Sequence, residues 1–186
     1  YIDKDHMYVG TKVITTGIVY NTELTENIPA GFKDLTNEAY KDDLIMPSPL
    51  YSGAAAYNLG VLTRTEGLGW DYYQTLKDNG VVVGKGNGSV QNAVVAGEQA
   101  CGLFSRLYGH PFKRMAGAPV EFVYPAEGSP AVTEPIGIVK GTDSEDLAKA
   151  FVDFVLSEEG QALTAEIGYT PIKSGVEVPE DLSVDR

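Results

Sequence analysis

Residues 43–64 read Asp-Leu-Ile-Met-Pro-Ser-Pro-Leu-Tyr-Ser-Gly-Ala-Ala-Ala-Tyr-Asn-Leu-Gly-Val-Leu-Thr-Arg, and the order of residue types there decides the fold class. A short apolar strand over Asp43 to Met46 is stopped by Pro47 and Pro49. An Ala- and Leu-containing helix then runs from Gly53 to Arg64 with Ser52 at its start. The same order recurs further on. Val81 to Val83 reads as a strand, Gly84-Lys85-Gly86-Asn87-Gly88 as a Gly-rich turn, and Ser89 to Ala96 as a helix ending at Gly97.

Strand, small-residue turn and helix in that order give an α/β unit, and the turn has a chemistry of its own. The first N–H groups of a helix have no intrahelical acceptor, and the aligned peptide dipoles leave about half a positive charge at that end. A phosphate, phosphonate or carboxylate fits there. Small residues let it approach the backbone, and the Ser52 and Ser89 hydroxyls can cap the helix or donate to an oxyanion. Gly and Ser are also ordinary turn residues; two such stations in one short chain weigh toward a site.

Outward from these stations, Val13 to Tyr20 reads as a buried strand, and residues 25–36 as loop with a short helix over Asn37 to Lys41. A second helix over Gly67 to Asn79 has Trp70, Tyr73 and Leu76 as its buried stripe and closes at Gly80. Strands follow at Ala100 to Ser105, Val120 to Tyr124 and Pro135 to Lys140. Between the first two lies the punctuated loop Arg106 to Pro111. Thr142 and Glu145 form a capping box for a helix whose Leu147, Phe151, Phe154 and Val155 recur at core-packing spacing. A last helix runs from Ser157 to Ile167 and stops at Gly168, and the tail from Pro171 is irregular. Strands alternating with helical crossovers predict an α/β fold, a largely parallel sheet flanked by helices, in one domain over residues 1–186. Ligands of such sheets bind beyond the carboxyl ends of the strands. Both stations and the loop containing Arg106 and Tyr108 fall at such ends, so they are read as one site.

Composition sets the outer limits. The chain has 186 residues with 43% hydrophobic and 22% charged, enough for a well-buried core. A net charge of −12 argues against a nucleic-acid partner, which would need a basic face. No stretch approaches the roughly 20 apolar residues of a membrane span. Cys101, the single cysteine, sits in an apolar run and is expected in the core. The opening Tyr1-Ile2-Asp3-Lys4 has no starting Met and reads as a piece of a longer protein, so the lack of a leader says nothing about compartment. Enzyme signatures are missing: there is no G-x-S-x-G elbow and no H-E-x-x-H, and Ser89 stands where a dinucleotide fingerprint would have its last glycine. His6 and His110 are read as loop residues rather than metal ligands, and Glu23, Glu26, Asp34 and Glu38 as solvated charges. No cofactor is expected.

The runs Pro125-Ala126-Glu127-Gly128, Gly137-Ile138-Val139-Lys140-Gly141 and Ala148 to Gln161, with Ser157-Glu158-Glu159-Gly160-Gln161 the most specific part, resemble the extracytoplasmic solute-binding proteins of ABC importers. The resemblance is to the group with the ferric-iron, phosphonate and sugar-phosphate binders. It implies a type 2 periplasmic-binding-protein-like lobe, mainly the second lobe with the C-terminal helices and most of the first lobe missing. Gly17 to Thr22 resembles a crossing strand, and strands 13–20 and 133–140 are read as hinge-like. Ser52, Gly53 and Ala54 match the Ser-Gly-Ala that holds a synergistic anion in the ferric binders, and Asn87 is the nearest match to an Asn that contacts it. The two adjacent tyrosines that bind iron are reduced here to Tyr108 followed by Gly109. One phenolate is a poor donor set for ferric ion, whereas the planar cation of Arg106 suits phosphate oxygens.

The implied activity is capture of a small anion such as a phosphonate or phosphate ester for import. Ser52, Gly53, Ala54, Asn87, Gly88, Ser89, Arg106 and Tyr108 are the ligand-binding set, with no metal. The first lobe closes over the ligand and a membrane permease reads the closed form, in the periplasm or at an outer membrane-anchored surface. A ferric-iron carrier using a synergistic anion and a ligand-sensing domain are the alternatives.

Overall fold

The computed structural model describes residues 1–105 and 117–178. The chain forms two compact units, Thr15–Ala131 and a smaller one made of Tyr1–Ile14 with Val132–Arg186. It passes from one to the other inside two strands, β1 (Val9–Asn21) and β6 (Ala131–Ile136).

In the larger unit the strands β2 (Leu44–Pro47), β3 (Val82–Gly84), β4 (Cys101–Ser105) and β5 (Val120–Val123) join β1 in the order β3-β2-β4-β1-β5. The α/β class holds, but the largely parallel sheet is corrected to a mixed one. β2 is parallel to both β3 and β4, whereas β1 is antiparallel to β4 and β5. The helices between β2 and β3 and between β3 and β4 return the chain in the same direction, which keeps those three strands parallel.

Alternating residues on these strands feed two cores. Ile18, Tyr20, Leu44, Cys101 and Leu103 lie on one face, with Phe32, Leu35, Leu62, Tyr72 and Leu76 packed over them; Val19 and Ile45 lie on the other with Val90 and Val94. The covering helices are α1 (Gly53–Leu62) and α2 (Gly69–Asp78) on the first face and α3 (Asn87–Val95) on the second. Gly102 lets α3 come close, since a Cβ there would lie 2.6 Å from a Val90 methyl. The buried stripe of α2 is Leu68, Tyr72 and Leu76, four residues apart, and the expected Trp70 is 68% exposed. Helix α2 starts later than expected, at Gly69, and it is Tyr72, not Trp70, that packs into the cluster with Phe32 and Leu35.

In the smaller unit the first part of β1 pairs with β6 and with β7 (Thr170–Pro171). β6 lies four residues before the expected strand at 135–140. The ladder is set by pairing with β1, where Thr11 Oγ1 donates to the Glu134 carbonyl at 3.1 Å, rather than by the β-branched run that follows. Helices α4 (Glu145–Leu156) and α5 (Glu158–Glu166) complete the unit. The expected capping box does not form: α4 starts after Ser144, Thr142 Oγ1 accepts from the Ser144 N–H, and Glu145 pairs with Lys149 at 2.7 Å. Nor is the stripe of α4 in a core, because Leu147, Phe151 and Phe154 are all exposed.

The Ser157–Gln161 run has a structural account. Ser157 caps α5, its Oγ accepting from the Gly160 N–H at 3.1 Å. A Cβ at Gly160 would lie 2.2 Å from the Phe154 carbonyl oxygen, so only glycine lets α5 turn this tightly off α4. Gln161 is fully buried and uses its whole amide: Nε2 donates to the Thr11 and Val155 carbonyls, and Oε1 accepts from the Ile172 and Lys173 N–H groups. Among the described residues no helix is long and apolar enough to cross a membrane.

Candidate functional site

The two Gly/Ser stations lie side by side. β2 and β3 are adjacent and parallel, with Pro47 opposite Gly84, and the Ser48 N–H extends the ladder by donating to the Gly84 carbonyl at 2.8 Å. Both turns therefore leave the same end of the sheet, where α1 and α3 begin. A side-chain bond links the two starts, with Asn87 Nδ2 donating to Ser52 Oγ at 3.4 Å.

Each station spends some of its donors locally. Ser52 is buried at the N-cap of α1, and its Oγ accepts from the Ala55 N–H at 3.2 Å. The Ser52 N–H is held by the Ser48 carbonyl at 3.0 Å. Gly53 and Ala54 then carry the first-turn N–H groups that the helix itself does not satisfy. In α3 the cap is Gly86, and Ser89 is the third helical residue rather than the first. Its hydroxyl donates to the Gly86 carbonyl at 2.7 Å and accepts from the Gly86 N–H at 3.1 Å. The Ser89 side chain thus stabilises its own turn, and Gly88 offers the open backbone of that station. A Cβ built at Gly53, Gly86 or Gly88 meets nothing within 4 Å, so the surface at both starts is uncovered.

Ser52, Gly53, Ala54, Asn87 and Gly88 are thereby brought together. Arg106 and Tyr108 follow Ser105, the last residue of β4, and with His110 lie outside the described residues. His6 belongs to the smaller unit, in a turn where its N–H donates to the Asp3 carbonyl at 3.0 Å. Cys101 is fully buried, and burial pushes its thiol up to about 11. Among the described residues no group of three His, Cys, Asp or Glu side chains converges as a metal site.

Several residues of the site were not picked out from the sequence. A recess beneath the two starts is lined by Thr16, Pro47, Ala54, Asn58, Tyr73 and Asn87. Thr16 Oγ1 donates to Asn58 Oδ1 at 3.1 Å, and both residues are buried. Burial raises the Tyr73 hydroxyl pKa and keeps it neutral. Only the fold brings β1, α1 and α2 to this place, so no local pattern marks these residues. One signal was legible: residues 44–62 carry no charged side chain and residues 79–97 carry only Lys85, in a chain with 26 acidic and 14 basic residues. Both helix starts thus lie in acid-free stretches of an acidic protein, which leaves their partial positive charge unopposed by neighbours in sequence.

The family model for bacterial extracellular solute-binding proteins matches residues 1–185. A Salmonella typhimurium protein, provisionally named a 2-aminoethylphosphonate-binding periplasmic protein, is 24% identical over 191 aligned positions, which cover 96% of this chain and 55% of that protein. The periplasmic binding protein AfuA of Actinobacillus pleuropneumoniae, solved with fructose 6-phosphate bound, is 27% identical with a TM-score of 0.85, over 98% of this chain and 60% of that one. Iron-bound HitA of Pseudomonas aeruginosa shares the fold at a TM-score of 0.83 and 21% identity, over 98% of this chain and 61% of that one. The chain spans about half the length of the curated relatives it matches.

Proposed function

This chain belongs to the bacterial extracellular solute-binding protein family, and from that premise we propose that it holds a small phosphoryl or phosphonyl anion for an ABC importer. The family is one of extracytoplasmic binding proteins, not enzymes. The observation that carries the reading is the Asn87–Ser52 hydrogen bond, which ties two helix N-termini into one donor surface. Gly53, Ala54 and Gly88 N–H groups and the Ser52 hydroxyl supply the donors, and no carboxylate adjoins them in sequence to repel an anion. Two relatives carry compatible names: one is provisionally named for 2-aminoethylphosphonate binding and the other was solved with fructose 6-phosphate. In the proposed cycle the remainder of the two-lobed protein closes over the anion by hinge motion, with β1 and β6 as hinge strands, and a membrane permease reads the closed form.

Titration of the chain with inorganic phosphate, 2-aminoethylphosphonate, fructose 6-phosphate and ferric citrate, followed by amide chemical shifts, tests this. Shifts at Gly53, Ala54 and Gly88 with the phosphorus compounds are expected. Their absence, or a response to ferric citrate alone, overturns the reading.

A further inference from the structure

We infer that Thr16 is a positioning residue that couples α1 to the segment entering β6, with its hydroxyl proton as the element that switches; the inference rests on the anion-site reading above. The larger unit ends between Ile14 and Thr15 in β1 and between Ala131 and Val132 in β6. Thr16 and Pro130 are each the second residue inside those limits, and the Thr16 N–H donates to the Pro130 carbonyl at 3.0 Å. Thr16 Oγ1 donates to Asn58 Oδ1 on α1 at 3.1 Å and also lies 3.5 Å from the Pro130 carbonyl oxygen. One residue of β1 thus joins the approach to β6 to the helix that carries Gly53 and Ala54.

A hydroxyl has one proton, so Thr16 serves Asn58 or Pro130 but not both at once. Given to Asn58, the proton ties β1 to α1. Given to Pro130, it ties β1 to the segment entering β6 and leaves the Asn58 oxygen without this donor. Thr16 and Asn58 are both buried, so water does not replace the lost bond and the two arrangements stay distinct. Asn58 stands in the buried stripe of α1 with Ala55 and Leu62. An apolar residue there would need no partner, and asparagine is a poorer helix former, so packing alone does not account for it. Asn58 also lines the recess beneath the helix starts with Thr16, Ala54 and Asn87. An oxyanion drawing on the first N–H groups of α1 moves Asn58 with its helix, and acceptors at 3.1 and 3.5 Å are close enough for that movement to decide between them.

The test uses the full chain, its Thr16→Ser variant and a double variant carrying Thr16→Val and Asn58→Leu. Amide chemical shifts are followed at saturating inorganic phosphate, so that differences in affinity do not enter. In the unaltered chain phosphate is expected to shift the amides of Thr16 and Ala131 as well as those of Gly53 and Ala54. The double variant exchanges a buried bonded pair for an apolar pair, which is tolerated better than the loss of one partner, and a urea titration checks its fold. It should lose the phosphate shift at Ala131 while those at Gly53 and Ala54 remain. Thr16→Ser keeps the hydroxyl and should keep all of them. If the double variant does not fold, Asn58→Leu alone, which leaves the hydroxyl only Pro130, should show the same loss. An Ala131 shift that survives without the Thr16–Asn58 bond, or none in the unaltered chain while Gly53 and Ala54 respond, overturns the role of Thr16 and leaves the anion site standing. Silence of Gly53 and Ala54 in the unaltered chain overturns the anion site and this inference together.

Discussion

The Asn87 amide donates to the Ser52 hydroxyl at 3.4 Å, joining residues 35 positions apart that each begin a helix. Ser52 Oγ also accepts from Ala55, so one oxygen caps α1 and fixes the other helix start against it. Ser52→Ala is expected to cost about 1 kcal/mol of stability and to weaken phosphate binding beyond that loss. A urea titration and a phosphate titration of the same variant separate the two effects. Unchanged phosphate affinity would remove Ser52 from the site.

Gly53 has open space where a side chain would go. Gly53→Leu should therefore change stability by no more than about 0.5 kcal/mol while covering the first N–H of α1. Loss of phosphate-induced shifts at Ala54 and Gly88, with the unfolding midpoint unmoved, is the expected result.

Gln161 is stapled by four hydrogen bonds to β1, the end of α4 and the segment after β7. Gln161→Leu fills a similar volume but leaves the buried Thr11 carbonyl and the part-buried Val155 carbonyl and Ile172 N–H without this amide, at an expected cost of about 2 kcal/mol or more. The change should appear as faster hydrogen exchange at Ile172 and Lys173, with the larger unit unaffected.

Two buried acids tie the larger unit to pH. Burial raises Cys101 from an ordinary value near 9 to about 11, and burial, aided by Cys101 and Asp34, raises Tyr40 from 10 to about 12. Both are more easily ionised when unfolded, so their contribution is complete below pH 9 and is lost as the pH rises through about 11 and then about 12. Denaturant midpoints measured up that range should fall, and Cys101→Ala should delay the first part of the fall.

By itself the sequence determined the strand–turn–helix order at 43–64 and 81–96, the start of α1 after Ser52, the burial of Cys101 and the stop at Gly168, while it placed the start of α3 two residues late. These follow from local causes: proline and glycine punctuation, a capping hydroxyl, and apolar runs of strand length. It also carried the Ser157–Gly160 turn, whose cap and close backbone approach are local, whereas Gln161 of the same run bonds across 150 positions to Thr11 on β1. What the tertiary structure decided was everything set by pairing across distance. The direction of β1, the position of β6, the choice of Tyr72 over Trp70 for the core, and the meeting of Thr16, Asn58 and Tyr73 beneath the helix starts depend on which strands and helices become neighbours, and no window of sequence contains both partners. The stripe of Leu147, Phe151 and Phe154 marks the boundary between the two. Its helical period was legible, but burial requires a partner surface, and among the described residues none covers it.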